Sequence, residues 1–309
     1  MKNKKVLVVL GGTSEERKVS IESGKACVKA LKKKGYQVSI FDPQKKAFNL
    51  IEKKKTDIIF NCLHGKDGED GVAQSYFEYL RIPYTHSGII SSYNAMNKVI
   101  SKEIFKKNKI KSPKYFYLKK ENFNKNTLKK NIKLKKIQFP IVVKPISEGS
   151  SIGVKICKNF LNLSKNANSL FKKYNELIFE AFIDGQEIQV AVINGSPLGA
   201  IELEPKRQFY DYKAKYSKSA KTKHIMPANL KNDKYQEALS LAKKAHDALG
   251  CKGVTRSDFK FFKKAFYILE INTQPGMTNL SLVPEIASYK GISFENLVEK
   301  ILLNASLNR

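Results

Sequence analysis

Apolar and polar positions follow two rhythms along this chain. Short apolar runs, KVLVVL at residues 5–10, QVSIF at 37–41 and DIIFNCL at 57–63, are separated by stretches with helical spacing. That alternation predicts a parallel sheet with crossover helices over residues 1–97. Polar clusters follow strand ends in this block: Gly11-Gly12-Thr13-Ser14, His64-Gly65 and Thr85-His86-Ser87-Gly88. In such sheets the ligand crevice lies beyond the carboxyl ends of the strands, where these clusters fall. A second block, 98–186, holds FPIVVKPISEGSSIGVKIC, read as strand, Gly/Ser loop and strand, then LIFEAFIDGQEIQVAVI, read as strand, turn and strand. A third, 187–309, carries a helix KYQEALSLAKKAHDALG stopped by Gly250, a polar loop KRQFYDYKAKYSKSAKTKH and a β-hairpin from Asp258 to Asn272. No internal repeat is found.

The hairpin carries the sharpest pattern. With Lys263, Lys264 and Ala265 as the loop, Phe262 pairs with Phe266, Asp258 faces Glu270, and Arg256 faces Asn272 on the same side. Phe259, Phe261, Tyr267, Leu269 and Ile271 then form the apolar side. A two-residue loop would slip the register by one and scatter these groups between faces. Opposed carboxylates with Cβ atoms about 5 Å apart repel by roughly 3 kcal/mol at an effective dielectric near 20. A cation between them removes that cost, and the oxygen set of Asp258, Glu270 and Asn272 suits Mg²⁺ better than zinc. The alternative is an ordinary charged edge.

Other stretches admit two readings each. EGSSIG is either a hairpin turn or a set of backbone and hydroxyl donors for phosphate; Lys144 just upstream is an odd charge on the apolar strand IVVK. It is not a P-loop, because no Gly-Lys-Ser/Thr follows, and no GxGxxG supports a dinucleotide site. Glu180 and Glu187 flank their turn, either in a site or solvated. Thr13-Ser14-Glu15-Glu16 fits a capping box, with Thr13 as the cap and Glu16 reaching back.

Composition narrows the class. At 309 residues the chain can bury a large core and hold two or three domains. It has no 18-residue apolar run to span a membrane. The five-residue apolar run after MKNKK is shorter than a signal-peptide core and reads as a first strand. Cys27, Cys62, Cys157 and Cys251 lack metal or CxxC spacing and read as buried, reduced thiols of a cytoplasmic protein. The net charge of +29 invites a nucleic-acid reading, yet only five of the 57 basic residues are Arg, and the rest are spread along the chain. The densest run, Lys119 to Lys136, lacks interleaved stacking aromatics and reads as an exposed linker and helix, so no specific nucleic-acid partner is expected.

Taken in order, HGKDGEDG, IPYTHSG, VVKPISEGSSIGV, FYDYKAKY, RSDF and EINTQPGMTNLSLVP resemble the D-alanine–D-alanine ligases, within the ATP-grasp carboxylate–amine ligases, over essentially the whole chain. The resemblance implies an α/β ATP-grasp fold in three domains: an N-terminal parallel-sheet domain (1–97), a small central α+β domain (98–186) and a C-terminal α+β domain with an antiparallel sheet (187–309). It implies that ATP phosphorylates one D-alanine and that the amine of a second attacks the acyl phosphate. Two Mg²⁺ ions, replaceable by Mn²⁺, would sit on Asp258, Glu270 and Asn272. Lys98, Lys144, Ser151 and Lys215 would hold phosphates; Glu180, with Ala181 and Ile183 following, would read adenine, and Glu187 the ribose. Glu16, in a set with Ser150 and Tyr216, would bind the first ammonium near His64. Arg256 and the Gly276 N–H would face the oxyanion, although Arg256 could also pair with Asp258. Ser281 and Leu282, near a helix start, would take the second carboxylate. Tyr216 favours an amine as the second nucleophile over D-lactate. The chain departs from the family at Asn97, where Asp is common, and in the basic segment SKSAKTKH. A homodimer is implied by the family alone.

Overall fold

In the computed structural model, residues 3–205, 222–278 and 280–307 are described. Strands β1 (Lys5–Val9), β2 (Gln37–Phe41) and β3 (Ile58–Asn61) form a parallel sheet of order β2-β1-β3. Helix α1 (Arg17–Lys33) crosses from β1 to β2, and α2 (Val72–Tyr79), α3 (Ile89–Met96) and α4 (Lys98–Lys107) follow. Asn97 caps α4 by accepting from the Val99 and Ile100 N–H groups at 3.1 Å. An amide oxygen thus serves as the helix cap at this departure from the family's usual Asp.

A four-stranded antiparallel sheet has the order β4 (Tyr115–Lys119), β7 (Glu176–Ala181), β5 (Ile141–Pro145), β6 (Lys155–Cys157). Helices α5 (Lys125–Lys135) and α6 (Phe160–Phe171) cover one face through Leu128, Leu163 and Ala167. The stretch read as strand, turn and strand passes between sheets. β7 ends the four-stranded sheet's share, and β8 (Gln186–Ile193) begins a five-stranded sheet of order β10 (Lys223–Ile225), β9 (Ser196–Glu204), β8, β11 (Val254–Phe262), β12 (Ala265–Asn272).

That second sheet is packed on both faces, which explains why β8 is buried almost throughout, Glu187 and Gln189 included. Ile188 and Val190 join Phe105 of α4 and Ala238, Ala242 and Ala245 of α7 (Asn232–Ala248) in one core. Ala191 and Ile193 meet α8 (Leu282–Tyr289) and α9 (Phe294–Leu303), which also pack on Val6, Val8 and Leu31 of the first sheet and α1. The end of the chain therefore completes the core of its beginning. Gly250, at φ 69, follows α7 as its stop signal requires. All four cysteines are free and buried. Among the described residues no helix is long and apolar enough to cross a membrane.

The hairpin corrects two expectations. Phe262 pairs with Ala265 instead of Phe266, so the loop is the two residues Lys263 and Lys264, both left-handed with φ of 47° and 63°. These are the torsions of the turn type that matches strand twist. Asp258 nevertheless faces Glu270 and Arg256 faces Asn272, because Leu269 is an extra residue: Phe259 opposes Ile268 across the shift. The bulge restores the register that the shorter loop would have lost. It also changes the apolar side, where Phe266 and Ile268 join Phe259 and Ile271 in the core in place of Tyr267 and Leu269.

Candidate active site

Two adjoining cavities open between the sheets and share Lys98, Glu148 and Glu270 in their walls. The first lies between the four- and five-stranded sheets. It is lined by Lys144, Ser151, Glu180, Ala181, Ile183, Glu187, Asp258 and the displaced Leu269, with Val142, Ile152 and Val154 adding apolar surface. The second lies towards the parallel sheet and is lined by Glu16, Glu69, Gly149, Ser150, Arg256 and Asn272. Every residue expected to hold ATP, other than Lys215, reaches the first cavity. Lys215 and Tyr216 lie outside the described residues.

Charge in the first cavity is buried and paired. Glu180 on β7 takes Lys144 of the neighbouring strand at 2.8 Å and Lys102 of α4 at 2.9 Å. Burial pushes the Glu180 carboxyl up, but the two ammonium groups more than reverse this and hold it at about 2. Burial lowers Lys98 and Lys102, whereas for Lys144 the attraction of Glu180 overcomes burial and raises it. Glu187 is paired across strands with Lys260 at 3.1 Å. Lys102 and Lys260 escaped the sequence reading. Their signals were an i, i+4 step from Lys98 that places Lys102 one turn before the core residue Phe105, and an i, i+2 step from Asp258.

The opposed carboxylates of the hairpin are already partly neutralised. Arg256 donates from Nε to Asp258 Oδ1 at 2.7 Å and from its terminal nitrogen to Oδ2 at 2.9 Å. Lys98 Nζ lies 3.6 Å from Glu270 and donates to the Glu148 carbonyl at 2.6 Å. The Asn272 side-chain oxygen accepts from the Gln274 N–H at 2.8 Å, which fixes its orientation. No group of three or more His, Cys, Asp or Glu poised for a metal occurs among the described residues. Two carboxylates and an amide suit a hard cation that draws its remaining ligands from phosphate and water.

In the second cavity the capping box is absent. Glu16 occupies the cap position of α1 without capping it, and Thr13 Oγ1 turns to Asp67. The Glu16 carboxylate instead accepts from Ser150 Oγ, 134 positions away. Gly65 and Gly149 make room for it: a Cβ on either would lie 2.8 or 2.6 Å from Glu16 Oε2. Ser150 and Ser151 hold φ of 47° and 60°, sparsely populated values concentrated in the loop that joins the two cavities.

Behind this cavity, His64 is buried with Nδ1 3.1 Å from Glu69 and Nε2 3.3 Å from Ser23 Oγ. Burial opposes the charge on His64, yet Glu69 raises it; burial likewise pushes Glu69 up to about 7 despite its histidine partner. Glu69, unassigned from sequence, sits in the HGKDGEDG stretch. Gln274 accepts from Asn61 Nδ2 at 2.8 Å and donates to the Leu63 carbonyl, tying the hairpin's exit to β3. Ser281 precedes the first residue of α8 and accepts from the Thr278 N–H at 2.9 Å; a Cβ on Gly276 would lie 2.9 Å from its Oγ. The Leu282 side chain is in the core, so any ligand contact from it rests on its backbone.

A four-stranded and a five-stranded antiparallel sheet closing on a pocket of lysines and carboxylates, beside a parallel-sheet domain, define the ATP-grasp ligase class. Sequence profiles described as the D-ala D-ala ligase N-terminus and C-terminus match residues 41–87 and 104–303. The chain belongs to the D-alanine–D-alanine ligase family. It is 56% identical over 308 residues to the D-alanine–D-alanine ligase of Pelagibacter ubique (strain HTCC1062), covering 99% of each chain. It is similar to the crystal structure of the Bacillus anthracis D-alanine–D-alanine ligase complexed with ATP, with a TM-score of 0.84, 31% identity and 97% of each chain covered. The VanG D-Ala:D-Ser ligase of Enterococcus faecalis also reaches a TM-score of 0.84, at 26% identity over 97% of this chain and 98% of that one.

Proposed function

We propose that the protein joins two D-alanine molecules to D-alanyl-D-alanine, with ATP giving ADP and phosphate, as a cytoplasmic supplier of peptidoglycan precursor. The observation that carries this reading is the meeting of two cavities at Lys98 and Glu270. One has lysines and carboxylates suited to a nucleotide triphosphate, and the other has a buried carboxylate, Glu16, suited to an amino-acid ammonium.

In this reading ATP lies along the first cavity, with adenine near Glu180, Ala181 and Ile183, ribose near Glu187, and phosphates on Lys98, Lys144 and Ser151. Lys215 completes the phosphate set. Asp258, Glu270 and Asn272 would hold a divalent metal, as two Mg²⁺ ions or as Mn²⁺, which when bound would neutralise phosphate charge. The first D-alanine is held by Glu16 with Ser150 and Tyr216, and His64 lies behind its subsite. Its carboxylate takes the terminal phosphoryl group to form D-alanyl phosphate. The amine of the second D-alanine, whose carboxylate rests near Ser281 and Leu282, then attacks the acyl carbon, and phosphate leaves. Arg256 and the Gly276 N–H offer positive charge where the oxyanion develops, and one such donor is worth about 3 to 4 kcal/mol. The division at 1–97, 98–186 and 187–309, and a homodimer, complete the proposal.

The VanG neighbour shares the fold, so architecture alone does not choose the second substrate; the 56% identity to a D-alanine–D-alanine ligase favours D-alanine. The test is phosphate release from Mg-ATP with D-alanine, L-alanine, D-alanine plus D-serine or D-alanine plus D-lactate, with products identified by mass. Release with D-alanine alone, matched by dipeptide, is expected. A mixed product that outcompetes the dipeptide would move the assignment to the D-serine or D-lactate enzymes.

A further inference from the structure

Lys102 is the least expected charge in the molecule. Its side chain is 0% exposed, and it lines neither of the two cavities just described; it reaches Glu180 from behind the wall of the first. Glu180 is held at both oxygens, Oε1 by Lys102 at 2.9 Å and Oε2 by Lys144 at 2.8 Å. Lys144 and Glu180 face the nucleotide cavity, whereas Lys102 does not. The Tyr115 ring lies 5.4 Å from the Lys102 ammonium on the other side, where both residues border a further cavity. Burying a lysine this deeply is costly unless its charge is used.

Its use follows from the charges around it. Lys98, Lys102 and Lys144 interact with one another and with Glu180 and Glu270, beside a cavity whose wall also carries Glu148, Glu187, Asp258 and Lys260. Without Lys102 this group loses one positive charge, and of its two ion-pair partners Glu180 keeps Lys144. Lys144, already 2.8 Å from Glu180 Oε2, would then have to balance the carboxylate alone. An ammonium beside each oxygen also favours one orientation of the carboxylate before the ligand arrives.

We propose that Lys102 is a positioning residue for ATP: it neutralises and orients Glu180 from outside the cavity, so that Lys144, on the other carboxylate oxygen, need not balance Glu180 alone when it meets a phosphate. The inference rests on the nucleotide assignment given under Proposed function. It predicts an effect confined to the nucleotide. Lys102→Met and Lys102→Gln are compared with the full-length wild type by calorimetric titration of Mg-ATP without D-alanine, and by steady-state kinetics.

Both variants should bind ATP about tenfold more weakly or worse, as expected for loss of a charge-assisted contact. The KM for ATP should rise in step, while the KM for D-alanine stays within about twofold and kcat within about threefold. Two substitutions are used so that a folding failure in one leaves the other to be read. A variant that retains its thermal transition and binds ATP as tightly as wild type overturns the proposal. So does a parallel fall in kcat and in affinity for both substrates, which would mark a structural role. A wild type that binds ATP but makes no dipeptide would defeat the ligase reading while leaving the Lys102 inference to be decided by the titration.

Discussion

Glu270 is the residue on which the two cavities hinge, and its side chain is 26% exposed, so its removal should spare the core. Glu270→Gln is expected to lower kcat/KM by at least about a hundredfold, the scale for losing a preorganised electrostatic group. The thermal midpoint should move by less than about 2 °C. Activity near wild type with the fold intact would remove the metal assignment. A second substitution tests the other cavity. In Gly149→Ala the new Cβ would sit 2.6 Å from Glu16 Oε2, a flexible side chain that must yield. Misplacing a substrate-orienting group by a fraction of an ångström should cut kcat/KM for D-alanine by roughly ten- to a hundredfold, with ATP affinity unchanged; equal losses for both substrates would refute it. At this scale the sequence was readable where a residue broke its local pattern. Lys144 on an apolar strand and the facing pair Asp258 and Glu270 were such breaks. Of the two readings of Glu16, the cap reaching back is not formed and the pairing with Ser150 is; a capping box and a carboxylate turned into a crevice after a strand present the same letters.

The hairpin shows what a single element hides. Its turn uses Lys263 and Lys264 at positions that require left-handed torsions, where neither side chain is favoured. Replacing the pair by Asn-Gly should stabilise the protein by about 1 kcal/mol, read as a higher urea midpoint with an unchanged slope. Turnover should be unaffected, because the loop is remote from the Asp258 and Glu270 pair; a loss of activity would show that the turn sets the register. The register was inferred correctly at its functional end through a three-residue loop that does not exist. Binary pattern reports which groups must share a face, and a shorter loop with a bulge at Leu269 satisfies the same demand. Pattern alone cannot separate these solutions, since both place Arg256, Asp258, Glu270 and Asn272 together.

For the molecule as a whole, acid sensitivity has an identifiable contributor in His246 of α7. It is 3% exposed, its Nδ1 is 2.8 Å from Thr255 Oγ1, and burial lowers its pKa from 6.5 to about 4. Between those values the unfolded chain binds the proton and the folded chain does not. Stability is therefore full above about 6.5 and falls as pH drops towards 4. At pH 5 this group should account for a loss of about 2 kcal/mol relative to pH 7.5. Denaturation at the two pH values should show His246→Gln losing less than wild type by that amount; an equal loss would exclude the residue.

What the amino-acid order determined by itself was local. The periodicities marked the parallel sheet, the strand–loop–strand around EGSSIG and the hairpin, and the ordered motifs announced the family. Each depends on neighbours within a few turns or one β-ribbon, where geometry follows from spacing. Tertiary structure alone decided which distant groups meet. Glu16 with Ser150, Lys102 with Glu180, Gln274 with Asn61, and the final helices on the first strand all join residues far apart in sequence. These contacts arise where three sheets pack against one another. The sign of a buried charge's environment is set by that packing, because burial makes an unpaired charge costly and so leaves the arriving partner to define its role.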